Sequence, residues 1–313
     1  MRVLVTGSSG FVGRWLVRAL AGRGHEVWGY GRGPLLGPPE GLRDYRGGDL
    51  AADPALEAWL GSIRPEAVVH LAGQSSVGAS WRDTAITVEA SVVAAANLLL
   101  GLRRASAPVK VFVDVGSAEE YAPSGERLTE ASPVGPVNPY GIAKLAQARV
   151  VGLLAQDANV ALVHFRPFNH VGPGQARGFV IPDWIAQLLS AERTSGPAAI
   201  RVGNLGVVRD FTDVRDVVRA YVLAVEGQVP PGTYNLSSGV GRTLRSVLKD
   251  IVRAAGVEAE VVEDVGRLRP GDAPVRVGDS GRIREAAGWR PEIPWETTLG
   301  DAIAEIRRGD LGH

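Results

Sequence analysis

Val3-Leu4-Val5-Thr6-Gly7-Ser8-Ser9-Gly10-Phe11-Val12-Gly13 is the stretch that decides the fold. The unbroken apolar triplet reads as a short buried strand. Trp15, Leu16, Ala19 and Leu20 then set out an apolar stripe of helical period. Between the two lie glycines spaced Gly-x-x-Gly-x-x-Gly. A strand, a tight glycine turn and a helix let backbone come close to a pyrophosphate and surround it with amides at a helix N-terminus. Gly7, Ser9, Gly10, Phe11, Val12 and Gly13 are therefore candidate cofactor contacts. The competing reading is a purely structural turn, in a chain with 40 glycines.

Further apolar runs follow at intervals suited to βα units: Glu26–Tyr30, Ala67–His70, Lys110–Val115 and Val160–Phe165. Strands without alternation, separated by helical patterns, predict a doubly wound parallel α/β sheet of Rossmann type. After Phe168 the pattern is less regular, which predicts a smaller C-terminal α/β substrate lobe. The division expected is a dinucleotide-binding domain over 1–168, also receiving segments from 212–236, and a mainly substrate-binding lobe over 169–313. Helices are expected near 84–104, 140–155, 179–189 and 244–255, and Tyr121–Asn138 reads as a surface loop.

The end of the second strand lacks the acidic residue that would accept hydrogen bonds from the ribose of NAD. Gly31 and Arg32 stand there instead. Arg32 pairing with a 2′-phosphate would favour NADP(H) over NAD(H); the plainer reading is a solvated loop edge. Asp49, beside Leu50, reads as an acceptor for the adenine amine or as a cap for the segment 54–60. Leu71, Ala72 and Gly73 form a second turn expected beside the cofactor phosphates.

Ser117 closes the strand ending at Val115-Gly116, on the sheet edge where ligands bind in such folds. Tyr140 and Lys144 are i and i+4, so a helix starting near Pro139 puts them on one face, about 6 Å apart at Cβ. A lysine ammonium near a phenol favours the phenolate, and a hydroxyl can hold a substrate carbonyl. Ser117, Tyr140 and Lys144 are the candidate catalytic set. A Tyr-x-x-x-Lys pair alone is a common surface pattern.

The chain carries 34 basic and 34 acidic residues in 313, and no basic stripe points to nucleic acid or an anionic membrane. It has no cysteine, which excludes thiolate chemistry and disulfides, and its five histidines show no metal-binding spacing. No metal is expected. The glycine-rich start does not resemble a signal peptide and no apolar run is expected to span a membrane, so a cytoplasmic protein is expected. Only three lysines accompany 31 arginines, a bias of genome composition or heat adaptation. Arg201, Arg209 and Arg269 could gather around a diphosphate, where forked donors suit phosphate oxygens; by charge counting each is an ordinary surface residue.

Taken together, the glycine turn, His70-Leu71-Ala72-Gly73, Ser117–Tyr121, Asn138–Lys144 and Arg166–Gln175 resemble the extended short-chain dehydrogenase/reductases of the nucleotide-sugar branch. The resemblance runs from residue 1 to about 299. It implies a nucleotide-diphosphate sugar as partner and a homodimer through the helices near 84–104 and 140–155. It gives Tyr140 the acid/base role and Lys144 a role in lowering its pKa and holding the nicotinamide ribose. Ser117 would orient the sugar C4 oxygen, and Asn97 would lie near the lysine. Ser75, Glu119, Asn169, Val180, Arg201, Arg209, Arg269 and Asp272 would contact substrate.

The stretches 178–183, 202–217 and 267–272 further resemble members that use NADPH to reduce the C4 ketone of a GDP-4-keto-6-deoxyhexose to GDP-rhamnose. Members that dehydrate GDP-mannose at C4 and C6, or epimerise nucleotide sugars at C4, remain alternatives. In the dehydrating members that this chain resembles, an acidic or hydroxyl side chain after the serine and then a glutamate supply that chemistry. Here Ala118 supplies neither, while Glu119 remains as a base. A non-catalytic cofactor sensor on the same fold would have lost the Ser-Tyr-Lys set.

Overall fold

The computed structural model describes residues 1–33, 37, 39–191, 198–264, 266 and 273–310. The continuous apolar runs become strands buried on both faces. In chain order the first half holds β1 (Arg2–Thr6), α1 (Phe11–Gly22), β2 (Glu26–Gly31), β3 (Leu42–Gly47), α2 (Leu56–Ile63) and β4 (Ala67–His70). It continues through α3 (Val77–Arg82), α4 (Thr84–Val88), α5 (Ala94–Arg104), β5 (Val111–Val115), α6 (Pro139–Asp157) and β6 (Ala161–Pro167). The second half holds β7 (Asn169–Val171), α7 (Val180–Ala191), β8 (Ala198–Val202), β9 (Val208–Asp213), α8 (Val214–Val225) and β10 (Gly232–Leu236). It ends with β11 (Gly241–Thr243), α9 (Leu244–Ala255), β12 (Ala259–Glu263), β13 (Val275–Arg276), α10 (Gly281–Ala287) and α11 (Trp295–Asp310).

Seven strands in the order β10-β6-β5-β4-β1-β2-β3 make one sheet, every pair parallel. The strand order reverses between β1 and β4, which opens a crevice beyond their carboxyl ends. The glycine turn after β1 and the Leu71–Gly73 turn after β4 stand at that crevice. Helices cover both faces. On one side Leu16, Val17 and Leu20 of α1 and Val217 and Tyr221 of α8 pack on Val3, Val5 and Val69. On the other, Leu60 of α2, Leu98 and Leu102 of α5 and Val151 of α6 pack on Leu4, Val68 and Phe112. Each such buried Leu or Val contributes about 1.5–3 kcal/mol over leaving it in water.

The remaining strands build two smaller sheets. β11, β9 and β13 lie side by side with β7 also on β9, while β12 pairs with β8. Trp184, Ile185, Leu188, Ile200, Val247, Ile251, Leu299 and Ile303 form their common core. Residues 214–236 leave this region to place α8 and β10 against the seven-stranded sheet.

The expected long helix is continuous from Thr84 to Arg104, with a π-helical turn over Glu89–Val93 joining α4 to α5. By length and composition it is apolar enough to cross a membrane, against the expectation that no run would be. Its apolarity has a local cause: 44% of the apolar window is buried, where α5 packs on α2 and α6. An apolar surface remains on this helical layer. Trp81, Ile86, Val88 and Val93 are 39–53% exposed, and on α6 Ile142 is 53% and Leu153 70% exposed. Of the residues singled out from the sequence, Arg269 and Asp272 lie outside the described ones.

Candidate active site

The crevice is floored by the two turns. Gly7 has φ +68°, its N–H donates to Tyr30 O at 2.7 Å, and its O accepts from Gly10 N at 3.0 Å. A Cβ on Gly13 would collide with Gly7 O and come within 2.7 Å of Ser8 Cα, so only glycine lets α1 start this close to the turn. Gly10 caps α1 without a side-chain hydrogen bond, and no acidic residue stands in the first turn. The leading amides of α1 therefore face the crevice with the positive end of the helix dipole behind them. Leu71 N donates to Thr6 O at 3.3 Å and Ala72 N to Thr6 Oγ1 at 3.1 Å, bringing the second turn against the first. An uncapped helix start in a cradle too tight for side chains fits a dinucleotide pyrophosphate.

Around this cradle, Ser9 carries a half-buried side chain, and its carbonyl accepts from Arg14 Nε at 3.0 Å. Asp49 is exposed, and its Oδ1 accepts from Ala51 N at 3.0 Å, so it caps its own turn and leaves the helix at Leu56 uncapped. Leu50 is buried beneath it. Asn97 bonds elsewhere than to the lysine: its Nδ2 donates to Leu50 O at 3.1 Å and Ala51 O at 2.9 Å, tying the Asp49–Ala51 turn to α5. Arg32 stands exposed on the bend after β2.

The other wall is chemical. α6 starts at Asn138, whose side chain accepts from Gly141 N at 2.8 Å with Pro139 in the first turn, and this fixes Tyr140 at the helix mouth. Ser117 caps a 3₁₀ turn over Ala118–Glu120, accepting from Glu119 N at 3.1 Å. That bond occupies one lone pair and leaves the hydroxyl proton free to donate. The Ser117 hydroxyl lies against the Tyr140 phenol. The phenol is nevertheless pushed up to about 12, by burial first and then by the carboxylates of Glu119 and Glu120. Lys144 does not pull it down as expected. Its Nζ turns to Val115 O at 2.9 Å and Gln147 Oε1 at 3.1 Å, and burial lowers its own pKa. Gly73 faces that ammonium, since a Cβ there would lie 3.5 Å from Nζ.

Glu119 is held from two sides, by Asn138 Nδ2 at 2.8 Å and Arg276 Nε at 3.3 Å. Arg276, only 4% exposed, also donates to Ala118 O at 2.5 Å. Ala118 is buried at 3%. The turn after Ser117 thus offers a methyl and a clamped carboxylate.

The substrate-side residues are scattered. Ser75 is exposed after the Leu71–Gly73 turn, Asn169 is exposed on β7, and Val180 is half-buried at the start of α7. Arg201 is exposed on β8, in a different sheet from Arg209, and Arg269, the third of the expected arginines, lies outside the described residues. Arg209 is buried on β9. Its register neighbours are Arg242 on β11 and Arg276 on β13, giving a row of three arginines across that sheet. Sequence reading missed Arg242 and Arg276, because strands of two and three residues carry no periodicity.

The chain matches the profile of the NAD dependent epimerase/dehydratase family over residues 3–237. It belongs to that family. A family member from Pseudomonas aeruginosa, GDP-6-deoxy-D-mannose reductase, is 32% identical over 95% of this chain and 94% of its own length. Among solved structures, Thermus thermophilus UDP-glucose 4-epimerase complexed with NAD has a TM-score of 0.86 at 30% identity, covering 98% of this chain and 99% of that one. RMD from Pseudomonas aeruginosa complexed with NADPH has a TM-score of 0.85 at 29% identity, over 98% and 99%. The chain is an NAD(P)-binding oxidoreductase or epimerase of the extended short-chain dehydrogenase/reductase type.

The preference for NADP(H) read from Arg32 is overturned. NAD, not NADPH, is bound in the Thermus epimerase and in MoeE5 with UDP-glucose or UDP-glucuronic acid; RMD is the exception. The physical reason is that an exposed arginine after a strand carries no selection by itself. Loss of the acidic ribose partner removes one contact to NAD without creating a phosphate pocket.

Proposed function

We propose that this family member is an NAD-dependent enzyme acting at C4 of a nucleotide-diphosphate sugar, and that its net reaction is 4-epimerisation. The observation that carries this reading is the turn after Ser117. The Tyr140 phenol and the Ser117 hydroxyl are neighbours at the mouth of the crevice, while Ala118 has no acid and Glu119 is held by Arg276 and Asn138. That equipment suits oxidation and reduction at C4. It does not suit removal of a C5 proton and loss of the C6 hydroxyl.

In this reading the pyrophosphate of NAD rests on Gly7, Ser9, Gly10, Phe11, Val12 and Gly13. Asp49 and Leu50 flank the adenine, and Leu71, Ala72 and Gly73 close the far side. Bound NAD supplies a two-electron hydride acceptor and, when oxidised, one positive charge. Tyr140 takes the proton of the C4 hydroxyl and returns it, Ser117 donates to the same oxygen, and Lys144 holds its charge near the floor of the crevice. Ser75, Asn169, Val180, Arg201 and Arg209 would contribute to the sugar-nucleotide side, with Arg209 on the diphosphate and the clamped Glu119 shaping the turn beside the sugar. The exposed apolar residues of α3–α6 pair two copies, and the protein works in the cytoplasm.

The test is product analysis with UDP- and GDP-hexoses and catalytic NAD. A C4 epimer formed without net change in the cofactor supports the reading; no epimer from any of them refutes it. One observation favours a second reading. A relative at 32% identity is a GDP-6-deoxy-D-mannose reductase, which points to reduction of a C4 ketone with the buried Tyr140 phenol as proton donor. GDP-rhamnose formed stoichiometrically from NADH and a GDP-4-keto-6-deoxyhexose would establish it.

A further inference from the structure

Behind Ser117 and Tyr140 runs a continuous series of buried polar groups that the chemistry above leaves without a role. Lys144 Nζ donates to Gln147 Oε1 at 3.1 Å, and Gln147 Nε2 donates to Asp114 Oδ1 at 2.6 Å. Asp114 Oδ2 lies 2.7 Å from His164 Nδ1, and both Glu120 oxygens lie 3.2 Å from His164 Nε2. Glu120 Oε1 then accepts the backbone N–H of Ser117 at 2.9 Å, and Arg166 Nε donates to Oε2 at 2.7 Å. Gln147, Asp114 and Glu120 have no exposure at all.

Ionised carboxylates only accept hydrogen bonds, so a ring with one on each nitrogen carries both protons and is an imidazolium. Burying such a set is expensive. Well-packed apolar residues of similar volume would hold β5, β6 and α6 together as well or better. The backbone is also shaped around the contact. A Cβ on Gly116 would overlap Glu120 Oε1 and come within 2.5 Å of His164 Cε1 and 2.8 Å of Nε2. The glycine before Ser117 is there because a carboxylate and an imidazole fill its side-chain space.

We propose that Gln147, Asp114, His164 and Glu120 are positioning residues for the C4 chemistry, fixing the Lys144 ammonium and the Ser117 backbone relative to each other. The inference rests on the reading of Ser117, Tyr140 and Lys144 given above. Gln147 is the joint, since its amide oxygen meets the cation and its amide nitrogen meets the carboxylate.

Gln147→Met keeps the volume and removes both bonds. Gln147→Glu keeps the acceptor for Lys144 but sets a second carboxylate against Asp114. The ionisable groups in and around this series are His70 on β4, Asp114 on β5, Glu119, Glu120 and Tyr121 after β5, Tyr140 and Lys144 on α6, and His164 and Arg166 on β6. With three lysines in the chain, ¹⁵N-lysine NMR resolves the Lys144 ammonium. In Gln147→Met it should titrate at least about half a pH unit lower than in wild type.

Turnover should fall about tenfold or more in Gln147→Met, with sugar KM and NAD affinity within about twofold. In Gln147→Glu, kcat should recover toward acid pH, where the two carboxylates share a proton, giving an inflection that wild type lacks. A folded Gln147→Met with an unmoved lysine signal or wild-type kcat overturns the inference. Should that variant not fold, a wild-type pH profile in Gln147→Glu overturns it. A wild type without any C4 chemistry sinks the functional reading and this inference together. A turning-over wild type matched by Gln147→Met sinks this inference alone.

Discussion

His164→Asn should change both the stability of the protein and how that stability depends on pH. The imidazole, raised from 6.5 to about 9 despite its burial, is held charged by Glu120 and Asp114. A group raised on folding stabilises fully below its unfolded value, and that contribution disappears as pH climbs through the folded one. Between pH 6.5 and 9, at about 1.4 kcal/mol per pH unit, on the order of 3 kcal/mol of wild-type stability should drain away. The asparagine variant has no proton to lose there. Its deficit against wild type should be largest near pH 6 and shrink steadily toward alkaline pH. His70, pushed down to about 4 by burial, titrates below this window and does not blur it. Urea denaturation of both proteins at half-unit steps measures the difference. A deficit that stays flat across the window would refute the charged-imidazole reasoning.

Other outcomes follow from the same geometry. Tyr140→Phe should lose about 10²–10⁴ in turnover while keeping NAD affinity, checked by product formation beside cofactor titration. Gly13→Ala forces a methyl onto Gly7 O and Ser8; calorimetry should show about 1–3 kcal/mol of lost stability together with weakened NAD binding. Leu153→Glu, at a side chain 70% exposed on α6, should leave monomer stability within about 0.5 kcal/mol yet shift sedimentation toward monomer.

The parallel strands were legible because burial on both faces leaves mainly apolar runs, and β1, β2, β4, β5 and β6 each carry one. β7, β11 and β13 were not, since two or three residues show no period and are held by register to β9. Ser117, Tyr140 and Lys144 could be named from spacing and resemblance. The clamp on Glu119 could not, because Arg276 reaches it from 157 positions along the chain. The partners of Asn97 were hidden for a related reason. Its position on a helix was readable, but not that its side chain would turn to the Leu50–Ala51 carbonyls. A signal for the buried ionic series was present all the same. Asp114 interrupts Val-Phe-Val-Val on β5, and His164 interrupts Ala-Leu-Val-Phe on β6, adjacent in the sheet. A charge inside an apolar parallel strand needs a partner, and the neighbouring strand is the first place to seek it.

The position of β10 bears on how the protein is made. Among the described residues, the outer edge of β6 is covered by residues 232–236, which leave the ribosome some 65 residues after Pro167. Until they emerge, the nascent sheet presents an open apolar margin that another growing chain can seize. Synthesis stalled in that interval, or a gene cut there, should yield aggregate rather than a working half.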